Sequence, residues 1–290
     1  MTSTDPICPA ERHGQHVSPT ITVVVPTLDE ELHIRRALEA ASPLGPCVVV
    51  DSGSTDGTEL IAAELGARVL THAWQGHAAQ KNWALAQVDT EWVFFLDADE
   101  IVSSALAAEI KSVVANAVAD GYFVPRRSLF LGKPLLHAGW YPDHQLRLFR
   151  AGRGRFEDRL VHEHVVVDGT TGFLTNDLVH DNIKGIDHLV AKHRVYAALE
   201  AQEMVRHETG SASTERKGSL RGSWPERRRW LKTNVWYRLP GRPAVRFAWL
   251  YGVKRGFLDG RRGYEYARLI AGYEREINRE LLADRNRSSA

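Results

Sequence analysis

From residue 21 to residue 117 the chain alternates short apolar runs with stretches whose apolar residues recur at helical spacing. Residues 21–25, ended by Pro26, and residues 48–50 are rich in valine and isoleucine and read as buried strands. Residues 67–71 and 92–96 supply two more, and the last of these, Trp92, Val93, Phe94, Phe95 and Leu96, is apolar throughout and therefore interior. Between them, residues 29–41, 59–65 and 78–87 read as helices, the first with acids at its start and Arg35 and Arg36 after them. A fourth helix is predicted over 103–117, with Ser103 or Ser104 as its cap. This alternation predicts an α/β fold, a parallel doubly wound sheet with helices on both faces and a nucleotide-sized crevice along its carboxyl edge.

Beyond residue 117 the rhythm changes. Residues 121–125, 145–150 and 164–168 read as strands joined by Gly, Pro and aromatic loops with no long helix between them. That half is expected to be antiparallel or mixed, completing the sheet and covering the crevice. Residues 187–207 have the spacing of an amphipathic helix, and 210–222 is a polar, basic linker. The expected organisation is a flexible arm over 1–19, an α/β domain over 20–185, and a helical, basic and aromatic region over 186–290.

Composition adds little until its distribution is considered. A chain of 290 residues with 43% hydrophobic content can bury a sizeable core, and 37 Lys and Arg against 36 acids say nothing about partners. Two cysteines argue against a disulfide framework and favour a reducing compartment. The first twenty residues lack an apolar core and no run of 18 apolar residues exists, so neither a signal peptide nor a membrane span is expected. Between 217 and 262, however, thirteen Lys and Arg face only Glu226 and Asp259, interleaved with Trp224, Trp230, Trp236, Trp249 and four other aromatics. Basic residues mixed with Trp suit a peripheral membrane surface with anionic headgroups. Packing on the α/β domain is the alternative, and nucleic acid is the least favoured partner.

Candidate chemistry gathers where strands end. Asp97, Ala98, Asp99 and Glu100 follow the interior run 92–96, and two carboxylates so close repel unless a cation lies between them. Oxygen ligands suit Mg2+ or Mn2+; the alternative is that these acids open the next helix. Asp51 ends the second strand in the same way and could accept hydrogen bonds from a base or ribose, or simply form an Asx turn with Ser52 and Gly53. No Gly-x-Gly-x-x-Gly and no Gly-x-x-x-x-Gly-Lys appears, so a bound diphosphate would be held through a metal. Downstream, Trp140, Tyr141, Pro142, Asp143 and His144 form an aromatic, acidic loop, and Glu163 lies between His162 and His164. Aromatic faces stack on sugars and a carboxylate can take a proton from a hydroxyl, although each of these residues also has a plain structural reading.

Taken together these segments resemble the family 2 glycosyltransferases, which use nucleotide-sugar donors on the GT-A fold. The resemblance runs through residues 23–30, 51–57, 80–82 and 97–100, and Gly139 to Phe149 with Val161, His162 and Glu163 is similar to the lipopolysaccharide core glucosyltransferase branch. It implies that Pro26, Thr27, Glu30 and Asp51 cradle the base and ribose, that Lys81 lies near the nucleotide, and that Asp97, Ala98 and Asp99 hold sugar, ribose and metal. It further implies Glu163 as general base, His180 as a third metal or diphosphate ligand, and Trp140 and Asp143 toward the acceptor. Lys81 departs from the Arg often found there and cannot form a bidentate fork. The Gln-x-x-Arg-Trp signature of processive synthases is missing, so transfer of one sugar is expected. The resemblance implies an inverting, metal-dependent transferase that takes a UDP-linked or related donor to a lipid-linked or polysaccharide acceptor at the cytoplasmic face of the membrane. A non-catalytic nucleotide-sugar or glycan-binding module is the alternative.

Overall fold

The computed structural model describes residues 20–157, 165–208, 227, 230–231 and 234–288. The expected N-terminal arm, Glu163 and much of the basic run between 217 and 233 lie outside the described residues.

The four apolar runs form the parallel strands β1 (Ile21–Thr27), β2 (Cys47–Asp51), β3 (Arg68–Thr71) and β4 (Trp92–Phe95). β1 lies between β2 and β4, with Val25 opposite Val49 and Val23 opposite Phe94. Helices α1 (Ile34–Ala41), α2 (Thr58–Glu64), α3 (His77–Leu85) and α4 (Ser104–Ala115) connect them as expected, and Ser103 caps α4 by accepting from the Leu106 N–H. One core layer packs β1 and β4 against α1 and α4 through Val23, Phe94, Ile34 and Leu106; the other packs Val24 and Phe95 against Ala78, Ala84 and Phe156. Fully burying a side chain such as Phe94 contributes about 2–3 kcal/mol.

α1 starts later than its periodicity suggests, because residues 28–33 are used to join two loops. Asp29 has a left-handed backbone (φ 53°); its N–H donates to Ser54 Oγ and its carboxylate accepts from the Thr55 N–H. Glu31 and Gly57 are linked in the same way, and Glu30 donates its N–H to Thr58 Oγ1.

The second half is mixed. β5 (Glu100–Val102), β6 (Gly121–Phe130), β7 (Lys133–Pro134), β8 (Asp143–Arg150), β11 (Thr171–Phe173) and β12 (Leu178–His180) extend the sheet to the order β3-β2-β1-β4-β8-β6-β12-β5, while β9 (Gly154–Phe156) and β10 (Val165–Val167) form a separate antiparallel pair. Glu100 does not open a helix: it begins the edge strand β5, which pairs antiparallel with β12. Among the described residues the C-terminal region includes α5 (Gly185–Glu208), a 3-10 turn at Trp236–Arg238, α6 (Arg242–Ala248) and α7 (Arg261–Ser288), with a π turn and a second 3-10 turn between the last two. α5 and α7 pack through Ala197, Ala201, Met204, Ile277 and Leu281, and a further cluster seats Tyr266 and Leu250 on Phe130 and Leu135 of the sheet domain.

Candidate active site

The carboxyl ends of β1, β2 and β4 meet at one edge, where Thr27, Asp51 and Asp97 stand side by side. Asp51 is fully buried and its carboxylate is committed to the loop it ends: it accepts from Thr27 Oγ1 (2.8 Å), the Gly53 and Ser54 N–H groups (2.8 and 2.6 Å) and Ser54 Oγ (2.5 Å). The Asx turn is formed, and the Thr27 hydroxyl is a further donor to the same carboxylate. Pro26 lies on β1 opposite Val50. Glu30, expected as a nucleotide contact, pairs with His33 (2.7 Å) and with Lys184 (2.9 Å). His33 in turn accepts the Ile183 N–H at Nε2 (3.0 Å), which places its proton on Nδ1 toward Glu30. The chain entering α5 is thus pinned to the β1 loop.

Asp97 and Asp99 have different surroundings. Arg147 reaches between Asp97 Oδ2 and Glu100 Oε1, 2.5 Å from each, and Lys81 Nζ lies 4.0 Å from Asp97 Oδ1. Desolvation opposes ionisation at Asp97, but the Arg147 guanidinium and the Lys81 ammonium outweigh it and hold the carboxyl well below the usual range. Glu100 is fully buried, and burial raises its pKa; its Oε2 accepts the Asp97 N–H and Arg126 Nη1 lies 3.5 Å from its Oε1. Ala98, small and buried, separates the two aspartates.

Arg147 is the residue whose role the linear pattern did not reveal. Tyr122 on β6 pairs with Leu148 and the next residue, Phe123, with Leu146, so Arg147 is the extra residue of a β-bulge in β8. A bulge re-aims a side chain. Here a buried guanidinium between Leu146 and Leu148 points at the acidic turn.

On the other side, β12 delivers His180. It is in register between Glu100 of β5 and Ser128 of β6, with Nδ1 3.2 Å from Ser128 Oγ and Nε2 3.1 Å from Asp99 Oδ2. Asn182 donates to the same oxygen at 3.1 Å. Burial works against charge at Asp99, but the hydrogen bond and charge of His180 outweigh it and bring the carboxyl to about 2; the same contact raises the His180 pKa against its own desolvation. The Asp99 carboxylate and the His180 imidazole are donor types that a divalent cation takes, and in this structure they bond to each other. Among the described residues no cluster of three or more His, Cys, Asp and Glu forms a complete metal cage.

The remaining candidates are distributed more widely. Lys81 stands beside Asp97 with its Nζ 5.3 Å from the Phe156 ring centroid. Asn82, its neighbour on α3, clamps the Phe156 backbone through two 2.9 Å hydrogen bonds. Phe156 and Val165 are register partners, so the described ends of the segment carrying Glu163 are held at α3. Trp140 stacks on Tyr266 at 4.3 Å, so one of the ring faces expected to meet a sugar is covered by the C-terminal region. Asp143 is likewise engaged, by Arg126 (2.6 and 3.0 Å) and by Gln145 (2.8 Å). Both residues have partners within the protein, and both stay partly exposed.

Comparison with known proteins bears on this arrangement. Residues 22–178 match the model of the family "Glycosyl transferase family 2". The lipopolysaccharide core biosynthesis glycosyltransferase LpsC of Rhizobium meliloti (strain 1021) is 30% identical over 84% of this chain and 87% of its own. An uncharacterized glycosyltransferase of Rickettsia bellii (strain RML369-C) is 28% identical over 64% of this chain and 68% of its own. Among solved structures, glucosyl-3-phosphoglycerate synthase from Mycobacterium tuberculosis, in complex with Mn2+, UDP and glucosyl-3-phosphoglycerate, aligns at 29% identity and a TM-score of 0.33; the match covers 39% of this chain and 45% of that one. The family match runs from residue 22 in β1, through the loops at Thr27 and Asp51, to residue 178, where β12 begins, and the chain is accordingly a glycosyltransferase of family 2 with the GT-A fold, related to the lipopolysaccharide core branch.

Proposed function

We propose that the protein moves one sugar from a nucleotide-diphosphate sugar, with UDP as the nucleotide, to a hydroxyl group of a cell-envelope glycolipid or polysaccharide, with inversion at the anomeric carbon. The observation that carries the reading is the pairing of Asp99 with His180, 3.1 Å apart, at the carboxyl edge beside Asp97 and Lys81. The donor's base and ribose would occupy the crevice walled by the Thr27 and Asp51 loops. Asp97, kept ionised by Arg147 and Lys81, would accept hydrogen bonds from donor hydroxyls. Asp99 and His180 would hold Mg2+ or Mn2+, whose positive charge would offset the charge of the leaving diphosphate. Glu163 would take the acceptor hydroxyl proton as its oxygen bonds to the anomeric carbon and the bond from that carbon to the diphosphate oxygen breaks. An envelope acceptor is supported by the similarity to LpsC, a lipopolysaccharide core biosynthesis glycosyltransferase. Residues 20–185 would hold the catalytic machinery and 186–290 would face the acceptor side, at the cytoplasmic face of the membrane.

Donor binding and slow donor hydrolysis across a panel of nucleotide sugars, with Mn2+, with Mg2+ and with chelator, test the proposal. One donor should be bound and hydrolysed only with metal, and Asp99→Asn or His180→Ala should lower hydrolysis by about 100-fold or more. Hydrolysis at the wild-type rate in chelator, or in Asp99→Asn, would overturn it.

A further inference from the structure

The C-terminal region leaves one surface that neither the core nor the crevice uses. Along residues 249–258 the apolar side chains divide: Leu250 and Tyr251 pack on Phe130 and Leu135, while Trp249, Val253, Phe257 and Leu258 face outward. The turn between β6 and β7 and the segment after it add Leu131 and Leu136, and all six are 46–62% exposed.

The two segments are far apart in sequence but tied in space. The Asp259 carboxylate accepts from the N–H of His137 (2.8 Å) and of Leu136 (3.4 Å) and meets His137 Nδ1 at 3.0 Å; the Ala138 N–H donates to the Lys254 carbonyl at 2.9 Å. Across the two segments a Cβ on Gly256 would lie 3.1 Å from the Ala138 Cβ, and within the C-terminal segment glycines allow still tighter approaches. A Cβ on Gly263 would lie 1.8 Å from the Gly256 carbonyl oxygen, and one on Gly256 2.8 Å from that of Leu250.

Charge along these segments is mainly basic, with Arg261 paired to Glu265 at 3.8 Å. Lys133, Lys254, Arg255 and Arg261 are exposed on these segments and Arg262 is half-buried, whereas the only acid among residues 131–137 and 249–262 is Asp259, turned inward to His137 and 9% exposed. Lys254 Nζ lies 5.9 Å from the Trp249 ring centroid. An apolar cluster that includes Trp and is ringed by cations complements an interface of acyl chains below anionic headgroups.

We infer that Leu131, Leu136, Trp249, Val253, Phe257 and Leu258, with their basic rim, dock the enzyme on an anionic lipid bilayer. Docking there sets the orientation of the site. The loop from Gly139 to Asp143 starts at the patch, since Ala138 is bonded to Lys254 and Trp140 stacks on Tyr266, and it ends at Asp143 beside Arg126 and Glu100. An acceptor anchored in the bilayer would reach the carboxylates along this loop; that direction of approach, though not the docking itself, rests on the proposed transfer to an envelope acceptor. No helix of the described residues is long and apolar enough to cross a membrane, so a bound state would be interfacial.

The test is flotation of the full chain with vesicles of phosphatidylcholine alone and with about 30% phosphatidylglycerol. Wild type should float with the anionic vesicles only, less so as salt rises, with a blue shift in Trp emission. Lys254→Ala with Arg255→Ala should weaken partitioning about 30-fold, from two lost charges near the surface. Phe257→Ser with Leu258→Ser should lower it about tenfold or more through lost apolar insertion. Both double variants should keep wild-type donor hydrolysis, which reports an intact fold. Absence of flotation by wild type, or flotation undiminished in both variants, would overturn the inference. So would a self-associated species that Phe257→Ser with Leu258→Ser dissolves in place of vesicle binding. Failure of the donor reading would show separately, as absent hydrolysis with flotation intact.

Discussion

Arg147 provides the sharpest test of how the acidic turn is held. Its guanidinium is 8% exposed and bridges Asp97 and the fully buried Glu100 at 2.5 Å each. Arg147→Met keeps the length and apolar packing of the side chain and removes the charge. Breaking a buried ion pair from one side costs about 3–5 kcal/mol, because it strands the partner. The structure places this case at the lower end, about 3 kcal/mol: Arg126 Nη1 remains 3.5 Å from Glu100, Asp97 is 36% exposed and can gain water, and the buried Arg147 Nε has no partner to lose. With a urea slope of about 3 kcal/mol/M, the unfolding midpoint should fall by about 1 M. Adding Glu100→Gln removes the stranded charge while its amide oxygen can still accept the Asp97 N–H, so the double variant should recover about 2 kcal/mol relative to Arg147→Met. A loss below about 1 kcal/mol, or a double variant no more stable than the single, would show that water screens the cluster and would refute the reasoning.

Three further outcomes follow from particular contacts. Glu109 on α4 accepts four hydrogen bonds from Thr175 and Asn176, which hold its carboxyl below the ordinary value against partial desolvation. Glu109→Ala should cost about 1–2 kcal/mol at pH 7, and because the folded pKa is depressed the difference from wild type should be lost as pH falls below about 4; a pH-independent difference in urea titrations would count against it. Gly263→Ala must displace the Gly256 carbonyl, so it should cost about 2–3 kcal/mol and lower Tm by about 3–6 °C, whereas a Tm within about 1 °C of wild type would show that the approach is not tight. His33→Phe leaves the Ile183 N–H without its acceptor, and hydrogen exchange at residues 183–186 should quicken by about tenfold while α1 stays protected; equal exchange in both proteins would argue that the β1 loop does not pin α5.

Local chemistry made much of this chain legible. The valine runs, the helical spacing of 34–41 and the apolar run at 92–96 each specify one element, and their order leaves few topologies open. The acids at 97 and 99 were legible as a candidate site because they follow a buried strand directly. Asp51 was harder to assign, since an Asx turn and a ligand contact require the same residue at the same place. The turn itself forms, with Ser54 supplied locally and Thr27 brought within 2.8 Å by the pairing of β1 with β2. Nothing in the linear pattern shows that Tyr266 and Arg126 approach Trp140 and Asp143.

By itself, then, the sequence determined the alternating strands and helices, the position of the carboxylates at a strand end, and the family. These depend on contacts between near neighbours and on the period of the backbone. Tertiary structure alone decided which partner each charged side chain found. The bulge that turns Arg147 onto the acidic turn, the β12 register that sets His180 against Asp99, and the tie from Asp259 to His137 that joins two apolar segments into one surface all link residues 47–122 positions apart. Side-chain electrostatics act over a few ångströms, and only the folded sheet brings such residues within that range.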